Sequence, residues 1–328
     1  MHGWIIIDKS VGPGSTQIVS AVKRALRDGG YPKVKVGHGG TLDPLASGVM
    51  PIALAEATKL AGRMLDADKA YEFTIRFGEE TSTLDAEGEV VATSDVRPAL
   101  SEIEAVLPRF TGPIEQIPPA YSALKVKGKR AYDLARSGAE FELRARSVTV
   151  HDLKILPGTG RGTAGTAEEG ASGTAAGVEN PLHQPAAGPH PGPGEDQVTL
   201  HARVSKGTYI RSLARDIAYA LGTVGHVTML RRTKAGPFTI EAAISLDKLA
   251  ELANARDLEQ ALLPLTAGLD DIPAFSVTPD QASALRQGRK LIGIAAKPGL
   301  HLAIDLSVPV ALVEAFGGEL RVVRGFNL

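Results

Sequence analysis

The sequence predicts an α+β fold: a mixed, largely antiparallel sheet flanked by helices, followed by a small β-rich domain. Three observations carry this expectation. Tyr71, Phe73, Ile75 and Phe77 alternate with Glu72, Thr74 and Arg76, the period of a half-buried strand. Ile210, Leu213, Ala214, Ile217, Ala218 and Leu221 recur at helical spacing and stop at Gly222. After Leu265 the pattern changes to one short helix and several short strand-like runs, and nowhere do strand and helix alternate as regular βα units.

The elements follow in order. The N-terminal MHGWIIIDKS has too short an apolar part for a signal peptide, and no apolar run approaches the ~18 residues of a membrane span. A soluble cytoplasmic protein is therefore expected. From Gly37 to Lys59 the chain reads GHGGTLDPLASGVMPIALAEATK, with one carboxylate, Asp43, among glycines and apolar residues. Gly37, Gly39, Gly40 and Gly48 allow tight turns or close approach of a ligand. Asp43 followed by Pro44 is either a functional carboxylate or a helix N-cap with proline in the first turn. Ser101 and Glu104 form a capping-box pattern ahead of Val106 and Leu107. Tyr121 to Arg146 holds seven basic residues against three acidic ones, and Arg231, Arg232 and Lys234 form a second basic cluster, so a local basic surface is expected.

Ser147 to Leu156 and Val198 to Ser205 read as strands, and between them residues 157–197 are rich in Gly, Ala, Thr and Pro. That stretch has almost no large apolar side chains with which to offset the entropy of ordering, so a flexible insertion is expected. Its GTGRGTAG string lacks the following helical pattern that a phosphate-binding loop requires. The insertion carries a net charge of −4 and the rest of the chain +3, within a total of −1. At the C-terminal end, Thr278, Pro279 and Gln281 cap a helix through Leu285. Leu300 to Leu306, Val310 to Phe316 and Leu320 to Arg324 read as strands, with Pro309 separating the first two and Gly317-Gly318 as a turn. At 328 residues, two domains are expected, over 1–265 and 266–328. With no Cys in the chain, disulfides, thiolate metal sites and Cys nucleophiles are excluded.

Several ordered segments together resemble the TruB family of pseudouridine synthases. Gly37 to Gly48 resembles the family's GHxGxLDPxAxG string, with Gly-Gly-Thr between His38 and Leu42 in place of Thr-Gly and a small residue. Lys9, Gly12 and Ser15 keep the spacing of its KPxGxxS segment, with Ser10 at the proline position. Gln116 to Arg136 resembles QIPxxYSALKxxGxxxYxxAR, and Ser205 to Arg211 matches SKGTYIR. The resemblance implies a pseudouridine synthase-like catalytic domain, a PUA-like C-terminal domain that assists RNA binding, and conversion of the T-arm uridine 55 of tRNA. It implies Asp43 as nucleophile, Tyr71 as the residue stacking on the base and a candidate for the C5 proton step, and Arg211 as the partner of Asp43. Tyr209 and Leu230 would line the base pocket and His38 would lie at the RNA side.

Isomerising uridine breaks the C1′–N1 bond, turns the base and rejoins it through C5. It needs a nucleophile or base near the sugar and ring but no redox partner, phosphate energy, metal or other cofactor. Whether Asp43 attacks C6, attacks C1′ or abstracts the C2′ proton stays open. The expected partner is the tRNA T-arm stem-loop, with no membrane and no obligatory protein partner, in a monomer. Two competing readings are a non-catalytic RNA-binding or tRNA-folding protein on the same scaffold, and a phosphotransferase using the Asp66-x-Asp68 pair. The latter lacks the preceding apolar strand it needs.

Overall fold

The computed structural model describes residues 1–122, 124–126, 128–139, 141–157 and 194–328. Almost all of the expected insertion, including its GTGRGTAG string, and Lys127 of the basic segment lie outside the described residues. The chain divides into two compact units. One comprises Met1–Glu72, Arg203–Gly207 and Met229–Leu328, the other Phe73–Ala202 and Thr208–Thr228. Among the described residues no helix is long and apolar enough to cross a membrane.

In the first unit the strand Gly3–Lys9 runs antiparallel to Ala46–Leu54 along its whole length, from Gly3 opposite Leu54 to Lys9 opposite Gly48. The other edge of Ala46–Leu54 is shared. Leu230–Arg232 pairs parallel with Ala46–Gly48, and Val36–His38 pairs antiparallel with Ile52–Leu54. The sequence Trp4-Ile5-Ile6-Ile7 has no polar alternation because both faces of its strand are covered. Ile5 and Ile7 pack with Ile18, Val22 and Leu26 of the helix Ser15–Asp28 and with Leu249 and Leu252 of the helix Leu246–Asn254. Trp4 and Ile6 join Val49, Phe238 and Leu265, and the Trp4 indole N–H donates to Leu265 O at 3.1 Å.

The C-terminal segment forms its own five-stranded sheet, ordered Ala274–Ser276, Gly299–Asp305, Val308–Phe316, Glu319–Gly325, Leu291–Ile292. Its helix Pro279–Arg286 is capped as expected, with Thr278 Oγ1 accepting the Gln281 N–H and the Gln281 side chain accepting the Thr278 N–H. Ala282, Leu285, Val310, Val313 and Leu320 form a core of their own, while Leu302, Leu312 and Phe326 join the cluster around Trp4. Gly317 and Gly318 make the expected turn, both with positive φ. Pro309 does not separate strands. The hairpin turns at Leu306-Ser307, and Pro309 lies within its strand opposite Ile304, outside the Ala311–Phe316 span that the next strand covers, where its missing N–H costs no pairing.

The strands Arg146–Ile155 and Gln197–Val204, the latter in the second unit as far as Ala202, are neighbours in the sheet, so the two elements bracketing the insertion stand as expected. Gly112–Gln116 pairs antiparallel with the start of the former. In Lys69–Phe77, Phe73, Ile75 and Phe77 are buried and Arg76 is exposed, as the alternation requires. The helix Ile210–Ala220 buries Ile210, Leu213, Ala214 and Ile217 and ends before Gly222 at φ +71°. The cap of the helix Leu100–Val106 lies earlier than Ser101 and Glu104 suggest, because the Glu102 carboxylate accepts the Ala99 N–H at 2.7 Å.

Candidate active site

Asp43 stands on the loop joining Val36–His38 to Ala46–Leu54, and it is exposed. No helix follows Pro44, so the N-cap alternative for Asp43-Pro44 falls away; the chain enters a strand at Ala46 instead. The residues on either side of Asp43 are tied down by the first strand and helix. Ser15 Oγ accepts the Leu42 N–H at 2.9 Å and donates to Leu42 O at 3.0 Å. The Gly12 N–H donates to Pro44 O at 2.9 Å. Lys9 Nζ, on a fully buried residue, donates to Pro44 O at 3.1 Å, to Ser10 O at 3.0 Å and to Ala46 O. The spacing Lys-x-x-Gly-x-x-Ser therefore has a physical reason: each of its three residues clamps the loop that carries the carboxylate.

Arg232 completes the clamp. Its guanidinium is buried, with Nε donating to Val49 O at 2.8 Å and Nη1 to Thr41 O at 3.1 Å, while Nη2 has no hydrogen-bond partner among the described residues. The sequence placed Arg231, Arg232 and Lys234 on a basic surface. Only Lys234 is exposed; Arg231 is half-buried in an ion pair with Asp8 at 2.8 Å. The parallel pairing of Arg232 with Gly48 explains one glycine of the signature. A Cβ at Gly48 would lie 2.1 Å from Arg232 O, and its φ is +103°.

Electrostatics around the loop follow from these buried cations. Burial pushes the Lys9 ammonium below its ordinary pKa; the charge of Asp43 pulls it up and that of Arg232 pushes it down. Lys9 therefore sits within electrostatic reach of the carboxylate. His38 is held below its usual range by burial and then by Arg232, which favours the neutral ring. Its Nδ1 accepts the Gly40 N–H at 3.4 Å, leaving the proton on Nε2. Leu230 is half-buried opposite Ala46, and His38 lies opposite Ile52, so both line the same edge of the strand that follows Asp43. Tyr71 is half-buried near the start of its strand. Two residues before it, Lys69 Nζ donates to Leu65 O at 2.7 Å and to Ala67 O, tying the strand to the end of the helix Ala61–Asp66.

In the second unit, Tyr209 and Arg211 open the helix Ile210–Ala220 and are held by the Gln116–Ser122 segment. The Tyr209 N–H donates to Gln116 Oε1 at 2.8 Å, and Gln116 Nε2 donates back to Tyr209 O at 3.1 Å. Ser212 Oγ donates to Ile117 O at 2.8 Å. Arg211 is buried; Nη2 donates to Tyr121 O at 3.0 Å, Nη1 donates to Thr83 O at 2.8 Å and pairs with Asp85 Oδ2 at 3.1 Å. Asp85 is equally buried and also accepts from the Thr83 hydroxyl and, at 3.1 Å, from the Glu87 N–H. The two matching segments, QIPPAYS and SKGTYIR, thus fold onto each other.

Asp85 stands in none of the motifs singled out in the sequence, and Arg232 stood out there only as part of a basic surface. The Thr81-Ser82-Thr83 run before Asp85, a density of small hydroxyl residues beside an acid, was the available signal. For Arg232 there was none, since an arginine beside two other cations reads as surface.

The fold is that of RNA pseudouridylate synthases. A model of the N-terminal domain of TruB family pseudouridylate synthases matches residues 27–171, and one of the tRNA pseudouridylate synthase B C-terminal domain matches residues 211–270. Proteins named tRNA pseudouridine synthase B are similar over the whole chain. That of Zymomonas mobilis subsp. mobilis is 56% identical across 100% of this chain and 96% of its own length. That of Novosphingobium aromaticivorans is 59% identical across 100% and 98%. Among solved structures, a Cbf5-Nop10-Gar1 complex aligns with a TM-score of 0.68 at 27% identity, covering 99% of this chain and 85% of that one. The chain belongs to the TruB family of pseudouridylate synthases.

Proposed function

We infer that this chain isomerises uridine 55 in the T-loop of tRNA to pseudouridine, with Asp43 as the reacting carboxylate. The observation that carries the reading is an exposed aspartate whose flanking carbonyls and amides are fixed by Lys9, Gly12, Ser15 and Arg232. A reacting group on so anchored a loop gains from preorganisation, because little ordering remains to be done when substrate arrives. Asp43 attacks C6 of the ring or C1′ of the sugar, or removes and later returns the C2′ proton; each route cleaves C1′–N1 and rejoins the sugar to C5, and as C5 gives up its proton the freed N1 takes one up, so protons balance. The net reaction is an isomerisation and consumes no co-reactant.

The remaining roles follow the family pattern. Tyr71 stacks on the extruded base and stands near the C5 proton step, Leu230 and Tyr209 line the base, His38 meets the RNA as a neutral ring, and Arg211 is the guanidinium paired with Asp43. Arginine suits this last role, since its planar fork orients a carboxylate while keeping it charged. Extruding a stacked uridine costs a few kcal/mol, which contacts of this kind offset. The five-stranded C-terminal module is assigned the RNA-assisting role of a PUA-like domain.

The experiment is incubation of the full chain with unmodified tRNA, followed by mapping of pseudouridine. Conversion confined to position 55, abolished in Asp43→Asn and Asp43→Ala, is the expected result. Binding without conversion by the unaltered chain would replace the enzyme with an RNA-folding protein, and conversion by Asp43→Ala would remove Asp43 from the chemistry.

A further inference from the structure

A second cationic surface, which the function has not absorbed, lies on the first unit. The segment from Lys23 to Lys35 carries five basic residues, Lys23, Arg24, Arg27, Lys33 and Lys35, against the single acid Asp28. These residues line one open cleft of about 1080 Å³, together with Tyr31, Pro32 and Val34. All five are exposed. Arg27 pairs with Asp28 at 2.9 Å, whereas Lys23, Arg24, Lys33 and Lys35 make no ion pair among the described residues. The Arg256 guanidinium reaches the same turn, beside Gly30.

A concave wall of one charge sign concentrates field lines and attracts a polyanion more strongly than the same charges scattered on a convex surface. The walls are anchored at two places. The helix Ser15–Asp28 is anchored through buried Ile18, Val22 and Leu26, and the Tyr31 hydroxyl is fixed by the Leu258 N–H at 3.1 Å. The cleft also leads somewhere: Lys33 and Lys35 run directly into the strand Val36–His38. Lys35 and His38 are three residues apart, so their Cα atoms are separated by at most about 11 Å. The cationic wall therefore ends within one or two nucleotide lengths of the residue assigned to the RNA side of the Asp43 loop.

We propose that the Lys23–Lys35 cleft binds the sugar-phosphate backbone of the tRNA substrate next to the target loop, positioning it without reading its sequence. This inference rests on the tRNA-modifying reading above. Phosphate contacts fix register and orientation, and each adds to the salt dependence of binding.

The test measures Kd for unmodified tRNA as a function of KCl concentration, alongside the single-turnover rate at saturating tRNA. A Lys23→Ala/Arg24→Ala/Lys33→Ala variant should bind at least tenfold more weakly at moderate salt. Its slope of log affinity against log salt should fall by about 3, close to one per phosphate contact removed. Its saturated rate and thermal midpoint should stay at those of the unaltered chain. A matched triple variant at the exposed cations Arg109, Lys154 and Lys248 should leave the slope unchanged. An unaltered slope in the cleft variant, or an equal fall in the matched one, would overturn the assignment. Failure of the unaltered chain to form pseudouridine at all would overturn the functional reading instead, and the rate measurement separates the two.

Discussion

Replacing Lys9 by methionine tests the clamp on Asp43 most directly. The substitution keeps the length and the apolar stem but removes an ammonium that donates to Ser10 O, Pro44 O and Ala46 O in a fully buried position. Pro44 O retains the Gly12 N–H and Ser10 O lies on an exposed residue that water can reach, so Ala46 O is the buried carbonyl that loses this donor. Each buried acceptor left unpaired costs about 1–3 kcal/mol. Against this, removing a buried cation recovers part of its desolvation cost, the same cost that lowers the Lys9 pKa. The net expectation is a loss of about 1–2 kcal/mol in urea unfolding, the lower half of the range for one buried acceptor. The kinetic effect should be larger. A reacting group displaced by about 1 Å loses on the order of 100-fold in rate, and Asp43 also loses a buried cation within its electrostatic reach. Lys9→Arg should not restore the rate, because a planar fork cannot point at three carbonyls converging on one nitrogen. A Lys9→Met enzyme with unaltered single-turnover rate and unfolding midpoint would refute the view that this lysine builds the site.

Three further outcomes are expected. Asp85→Ala removes the buried carboxylate of the Asp85–Arg211 ion pair, so unfolding should become easier by about 3–5 kcal/mol and pseudouridine formation should collapse, with Asp85→Asn retaining more of both. Gly48→Ala forces a Cβ to 2.1 Å from Arg232 O at a φ of +103°, and should cost about 3 kcal/mol or more in urea unfolding while sparing the neighbouring Ser47→Ala. Burial, followed by the charge of Arg232, holds Lys69 down to about 8 from its ordinary 10.5. The folded chain thus releases this proton before the unfolded chain does, and stability should rise with pH between those two values, by up to about 3 kcal/mol from this group. Lys69→Met should flatten that rise in unfolding curves taken across the window.

How much of this was legible depended on whether a residue's task is local. The alternation of Tyr71, Phe73, Ile75 and Phe77, the helix opened by Ile210 and the Gly317-Gly318 turn were readable because period and turn chemistry are properties of neighbours in sequence. Trp4 to Ile7 gave no strand period, because a strand covered on both faces has no polar side to alternate. Pro309 misled for the opposite reason. A proline breaks a ladder only where a partner needs its N–H, and the sequence does not say how far the neighbouring strand extends. Ser101 looked like a cap by composition, but Glu102 reached the earlier Ala99 N–H and moved the helix start.

The site divides along the same line. Asp43 could be marked as a candidate because the string that carries the family resemblance lies within one segment, whereas its glycines and proline alone left the helix-cap reading open. What holds Asp43 in place could not, because Lys9, Ser15 and Arg232 come from three other elements and act on main-chain carbonyls and amides, which carry no side-chain signature. Arg232 is the sharpest case. In sequence it is the middle of a basic trio, whereas in the fold its strand register places it against Gly48 and its guanidinium reaches Thr41 O and Val49 O on either side of the carboxylate. A glycine at 48 is needed so that the two backbones can approach closely enough for that reach. The glycine and the arginine are thus one requirement written 184 residues apart, and the register of a single parallel strand pair makes them one.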